Sequence, residues 1–168
     1  ILGRPTDDSV TAHLAAEEDV VVFLRYGIDP NHPDQETDHT RLSQGETCQL
    51  SMDGLVPDTR YFYTLWTSPA EAKLFTASEL FTFHTQRAPG SAFTFVVQAH
   101  SHLDEQSVPE LYEVTLANAL GEEADFMIDL GDTFMVDKLP DKTYDPVEKR
   151  YQVQRSYFSL LCHSCPLY

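Results

Sequence analysis

"FTFVVQAHSHLDE", residues 93–105, is where the chain changes character. The run "FTFVVQA" reads as a continuous apolar strand, the pattern of a parallel sheet covered on both faces. It gives way to two histidines two residues apart, His100 and His102, with Asp104 and Glu105 behind them. Imidazoles and carboxylates at the end of a core strand form either the lip of a metal site or a polar loop rich in histidine. The residues that follow narrow the fold. "SVPE", 107–110, has capping-box spacing, with Ser107 as N-cap, Glu110 at the third position and Pro109 in the first turn. The spacing predicts a helix to about Leu120, with Val108, Tyr112, Leu116 and Ala119 on one face and Gly121 to end it. "DFMIDLGD", 125–132, then reads as a second buried strand. Strand, helix and strand make a βαβ unit with a parallel pair.

Beyond it, "KLPDKTYD" is a loop, and "DPVE", 145–148, is a second capping box with Pro146 at the first helical position. A helix from there to about His163 carries Val147, Tyr151, Gln154, Phe158 and Leu161 at three- and four-residue spacing. Gln154 is the polar interruption of that stripe. Pro166 stops the helix, and "LY" begins another strand.

Upstream the pattern differs. "QRAPGSA", 86–92, is a short linker with Pro and Gly. Residues 1–85 read as strands: "SVTAHLA" alternates, "DVVVFLRYG" is rich in β-branched and aromatic residues, and "CQLSMDGL", "RYFYTLWTS" and "ELFTFHT" continue the series. Frequent turn signals between them predict an antiparallel sandwich. The polar stretch 29–46 is a long loop or ragged hairpin, whose His32 and His39 are explained by solvation. In "GLVPDTRYFYTL", 54–65, the residues Leu55, Pro57, Thr59, Tyr61 and Tyr63 resemble the corner before a core strand of fibronectin type III-like domains, where a tyrosine hydroxyl bonds back to the upstream backbone.

Composition limits the function. The chain has 168 residues and is 42% hydrophobic, enough for a core. With 11 Lys and Arg against 27 Asp and Glu, its net charge is -16. Such a chain repels nucleic acid, and a phosphate-bearing substrate would need a cation in the site. No apolar run reaches the roughly 18 residues of a membrane span. Because Ile1 is not an initiator Met, the N-terminus is expected to have been processed or trimmed. Cys48, Cys162 and Cys165 are too few for a disulfide framework. "CHSC", 162–165, lacks the second CxxC of a zinc site and the preceding βαβ context of a thioredoxin-like motif, which favours buried, idle thiols.

In an open parallel sheet, ligands bind outside the C-terminal ends of the strands. Both strands here end in metal-ligand residue types. In extended backbone, residues i and i+2 point the same way, so His100 and His102 could converge on one cation. Gly131 allows a tight turn that leaves the Asp132 carboxylate at the sheet edge. Two nitrogens and one oxygen suit zinc, iron or manganese better than calcium. The alternative is a hydrogen-bonded, solvated histidine pair.

The order of sandwich, "FVVQAHSHLDE" and "DFMIDLGD" resembles the calcineurin-like metallophosphoesterases, and within them the members with an N-terminal fibronectin type III-like domain, such as purple acid phosphatases and PhoD-like alkaline phosphatases. The resemblance implies a fibronectin/Ig-like β-sandwich over 1–88, followed over 89–168 by the first part of an α/β metallophosphoesterase domain. It implies hydrolysis of a small-molecule phosphoester by a metal-bound hydroxide at a two-metal centre of zinc, iron or manganese. His102 matches the histidine of the family's Asp-x-His motif and Asp132 the bridging carboxylate of its Gly-Asp motif. His100 stands where the family has Asp, and Met135 where purple acid phosphatases have a metal-binding tyrosine, which argues against an iron–tyrosinate centre. Asp104 and Asp137 are candidates for supporting the ligands. The family's Asn-His motif does not occur before Tyr168. The chain is therefore expected to lack the C-terminal part of the catalytic domain, to leave an apolar sheet edge unpaired, and not to hydrolyse phosphoesters alone. The resemblance by itself implies an extracellular or periplasmic location. Two other readings are a ligand- or partner-binding protein with a degenerate metal site, for which His100 is the warning, and an adhesion-type sandwich module.

Overall fold

The structure, a computed structural model, describes residues 1–70, 72, 74–103 and 107–168. The chain divides into two compact units, Ile1–Phe93 and Thr94–Tyr168.

The first unit is a β-sandwich. One sheet has the order β1-β2-β6, from Leu2–Gly3, Ser9–Ala15 and Thr47–Asp53. The other is built on β3 (Val20–Gly27) paired antiparallel with β7 (Arg60–Pro69). Short strands β4 (Gln35–Glu36) and β5 (Thr40–Leu42) pair with β3, and β8 (Thr76–Ala77) and β9 (Phe81–His84) with β7. Alternation decides which side chains face inward. Val10 and Ala12 of β2 and Leu50 and Met52 of β6 pack with Val22, Leu24 and Tyr26 of β3 and Tyr61 and Tyr63 of β7 in one buried cluster. The polar stretch 29–46 is thus a ragged double pairing along β3. Its His39 stacks on the outward ring of Phe23 at 4.0 Å and bonds Glu36 at 3.0 Å. At the corner, Tyr61 is buried and its hydroxyl oxygen accepts the Val56 N–H at 2.9 Å. The buried Thr85 hydroxyl donates to the Val56 carbonyl at 2.8 Å and accepts the Thr59 N–H at 2.9 Å.

The second unit contains a parallel pair, β10 (Phe95–Gln98) and β11 (Phe126–Asp129), joined through α1 (Pro109–Gly121) and followed by α2 (Tyr144–Cys162). The last residues continue the sheet. Pro166 and Tyr168 carbonyls accept the Met127 and Asp129 N–H groups at 2.9 and 2.8 Å, and Leu167 bridges Met127 in parallel. Leu116 of α1, Met127 of β11, and Leu161 and Cys162 of α2 are buried, as is Leu103.

Several expectations differ from the structure. The strand "FTFVVQA" is shorter, and it is not covered on both faces. Phe95 and Val97 are 47% and 49% exposed, because they alternate away from the half-buried Val96 and Gln98. Neither capping box forms. The N-cap of α1 is Val108, without a side-chain cap, since Pro109 with its fixed φ takes the first helical position; this puts Val108 at the exposed helix start, 57% accessible, outside the apolar face. α2 begins earlier than "DPVE", with Thr143 as N-cap, which leaves Asp145 inside the first turn where its charge favours the helix dipole. In the α2 stripe, Tyr151 is exposed, whereas Gln154 is 2% exposed. No helix among the described residues is long and apolar enough to cross a membrane.

Candidate metal centre

β10 and β11 end side by side, with Gln98 paired to Asp129. The chain past each end then turns through left-handed backbone. His100, His102 and Leu103 have φ of 57°, 57° and 23°, Gly131 has 93° and Asp132 has 56°. This corrects the reasoning for the histidine pair: their convergence does not come from extended i, i+2 geometry, because the strand ends at Gln98. Non-glycine residues at positive φ carry a conformational cost, and their concentration here marks a loop held by its surroundings.

The holding contacts cross between the two loops. The His100 N–H donates to the Gly131 carbonyl at 3.1 Å and the His102 N–H to the Asp132 carbonyl at 3.3 Å. The Ser101 hydroxyl donates to the Thr133 carbonyl at 3.3 Å. From α2, Arg150 Nη1 donates to the Leu103 carbonyl, which anchors the far end of the histidine loop. Gly131 has space for a side chain, so its glycine answers the backbone angle and not crowding.

This backbone frame brings His100, His102 and Asp132 together. One ligand atom from each lies within 4.8 Å of the others. His100 Nδ1 is 3.1 Å from His102 Nε2 and 3.3 Å from Asp132 Oδ2. Ligands about 2.1 Å from a zinc ion sit about 3.4 Å apart in a tetrahedral shell, so the two separations from His100 match neighbouring ligands of one cation. Two imidazoles and a carboxylate are donors for zinc, iron(II) or manganese. His100 and Asp132 are exposed, so a solute can reach the set.

Asp104 lies outside the described residues. Asp137 is exposed on the loop after Asp132 and is not one of the three grouped donors. Met135, on the same loop, is half-buried. Asp129, not singled out from the sequence, sits beneath the turn: its Oδ1 accepts the Gly131 N–H at 2.6 Å and its Oδ2 accepts Gln98 Nε2 at 2.9 Å. The signal was present as Asp-x-Gly, the spacing of an Asx turn. Cys162 and Cys165 are buried free thiols, and burial pushes both up to about 12, so they are protonated at neutral pH.

No protein-family model and no curated protein matches the chain. Among solved structures, the purple acid phosphatase from yellow lupin (Lupinus luteus) seeds aligns with 99% of this chain and 33% of that one, at 12% identity and a TM-score of 0.68. The chain therefore shares a purple acid phosphatase-related fold while spanning 33% of the lupin enzyme's length. The sensor domain of an anti-sigma factor from Pseudobacteroides cellulosolvens aligns with 56% of this chain and 92% of that one, at 15% identity and a TM-score of 0.42.

Proposed function

We propose that the chain belongs to a metal-dependent phosphoesterase, with a fibronectin-like domain over 1–88 and part of a metallophosphoesterase domain over 89–168. The observation that carries this reading is the grouping of His100, His102 and Asp132 past the ends of two parallel strands, in a fold related to that of a purple acid phosphatase. His102 and Asp132 would hold a zinc, iron or manganese ion, with His100 as third ligand. When bound, such an ion activates a water and neutralises phosphate oxygens. The chain's own contribution is positioning. The crossed backbone bonds fix the two loops, and Arg150 fixes the histidine loop at Leu103. With a net charge of -16, the protein draws cations toward the site and repels a bare phosphoester, so substrate binding depends on the cation. A second metal and the family's Asn-His motif belong to the complete family site.

The test is hydrolysis of a generic aryl phosphate by the complete protein with zinc, manganese or iron. Turnover that needs metal and disappears in H102A and D132A is the expected result. Turnover that survives chelation overturns the proposal. Metal binding without turnover would favour the binding-protein reading, for which His100 in place of a carboxylate speaks.

A further inference from the structure

We propose that Asp129, seated on Gln98, is a positioning residue that presents Asp132 to the cation; the inference rests on the metal reading above. Asp129 closes β11 and is the register partner of Gln98, which closes β10. One carboxylate oxygen accepts the Gly131 N–H at 2.6 Å, a short charge-assisted bond. The other accepts Gln98 Nε2 at 2.9 Å. Gln98 Nε2 also donates to the Tyr112 hydroxyl of α1 at 2.9 Å, and the Tyr112 ring lies 5.3 Å from that of Tyr157 on α2. The carboxylate thus ties the turn to the sheet end and, through Tyr112, to the helix layer.

The turn needs such a tie. Gly131 and Asp132 are consecutive left-handed residues, at φ 93° and 56°. Their carbonyls accept the His100 and His102 N–H groups. Holding the Gly131 N–H anchors the start of the turn whose next two carbonyls receive the histidine N–H groups, and so biases the approach of the Asp132 carboxylate. Asp129 acts through Gly131 and Gln98 and has no place in the ligand set.

This role separates position from charge. In D129N the Oδ1 acceptor for Gly131 remains, and the Gln98 amide can turn over to offer Oε1 to the new NH₂. In D129A both bonds are lost. The measurement is zinc affinity of the protein by calorimetry, together with the visible absorption of its cobalt(II) form. D129A is expected to bind zinc about 10–100-fold more weakly, as loss of an outer-shell partner does, with an altered cobalt band, while D129N stays within about threefold of wild type. Q98L, which removes the second tie and leaves the carboxylate, is expected to lose about three- to tenfold, and it decides the matter if D129A does not fold by circular dichroism. Wild-type affinity in D129A or in Q98L overturns the inference. A loss in D129N equal to that in D129A also overturns it, because charge alone would then be acting. If the wild-type protein does not bind zinc, or D132A binds as well as wild type, the metal reading itself fails; wild-type binding with an indifferent Asp129 removes only this inference.

Discussion

Replacing Gln154 with methionine is expected to stabilise the second unit. Gln154 is 2% exposed, and neither Nε2 nor Oε1 has a hydrogen-bond partner among the described residues. It lies on α2 four residues beyond Arg150 and seven before the buried Leu161. An amide buried without partners costs about 1–3 kcal/mol by protein mutational measures. Methionine has nearly the same helix propensity as glutamine and an unbranched, adaptable chain, so the swap removes the polar cost with little change in packing. The expected gain is the whole of that cost, about 1–3 kcal/mol, and for a unit of this size each kcal/mol raises the melting temperature by about 4–8 °C. Q154E, which buries a charge in the same place, should fall on the other side of wild type. Thermal melts by circular dichroism and calorimetry at neutral pH order the three proteins. A methionine variant less stable than wild type would refute the reasoning, since it would show that the Gln154 amide is satisfied in solution.

D132A should weaken zinc binding by more than the about 10–100-fold that loss of an outer-shell partner costs, while D137A leaves it nearly unchanged; comparable losses by calorimetry would remove Asp132 from the ligand set. T85V deletes the hydroxyl that bonds the Val56 carbonyl and the Thr59 N–H, and at about 1–3 kcal/mol for each group left unpaired it should cost the sandwich about 2–6 kcal/mol in urea unfolding. A cost below that of Y61F, which removes a single acceptor, would count against the corner's geometry. Burial pushes the Cys162 and Cys165 thiols from the ordinary 9.0 up to about 12, so they add stability in full below pH 9. As pH rises toward 12 the unfolded chain ionises first, and stability should fall by up to about 1.4 kcal/mol per pH unit for each thiol. An unfolding free energy that stays flat from pH 9 to 11 in the wild type, or falls equally in a double C162S/C165S variant, would contradict this.

Strands β2 and β6 of the first unit were legible because one face of each is more buried than the other, and β3 because it is rich in β-branched and aromatic residues and buried on both faces. "SVTAHLA" alternates in sequence, and Ser9–Ala15 alternates in burial. The tyrosine corner was legible because its hydroxyl bond is local, spanning five residues. In the second unit the elements were legible and their ends were not. Both helices start where proline's fixed φ fits the first turn, and capping-box spacing did not decide between neighbouring starts. The apolar run at 93–99 promised two covered faces, but hydrophobicity does not say which neighbours arrive to cover them. At the site, the residue types were readable and their geometry was not. His100 and His102 meet Asp132 through left-handed backbone, which no propensity of histidine or aspartate demands and only the crossed loop contacts impose. Asp129 was hidden by its place in a strand pattern.

The three donors arise on two loops with α1 between them, so neither loop carries the set by itself. A helix can form early from neighbours in sequence, but pairing β10 with β11 closes a long excursion of chain, and contacts of that kind arrive slowly. A cation held there would then be captured at one moment of folding, when the second strand docks beside the first. Followed during refolding, its uptake would time that docking separately from helix formation. Once bound, it would slow parting of the pair in proportion to how much more tightly it binds the closed state.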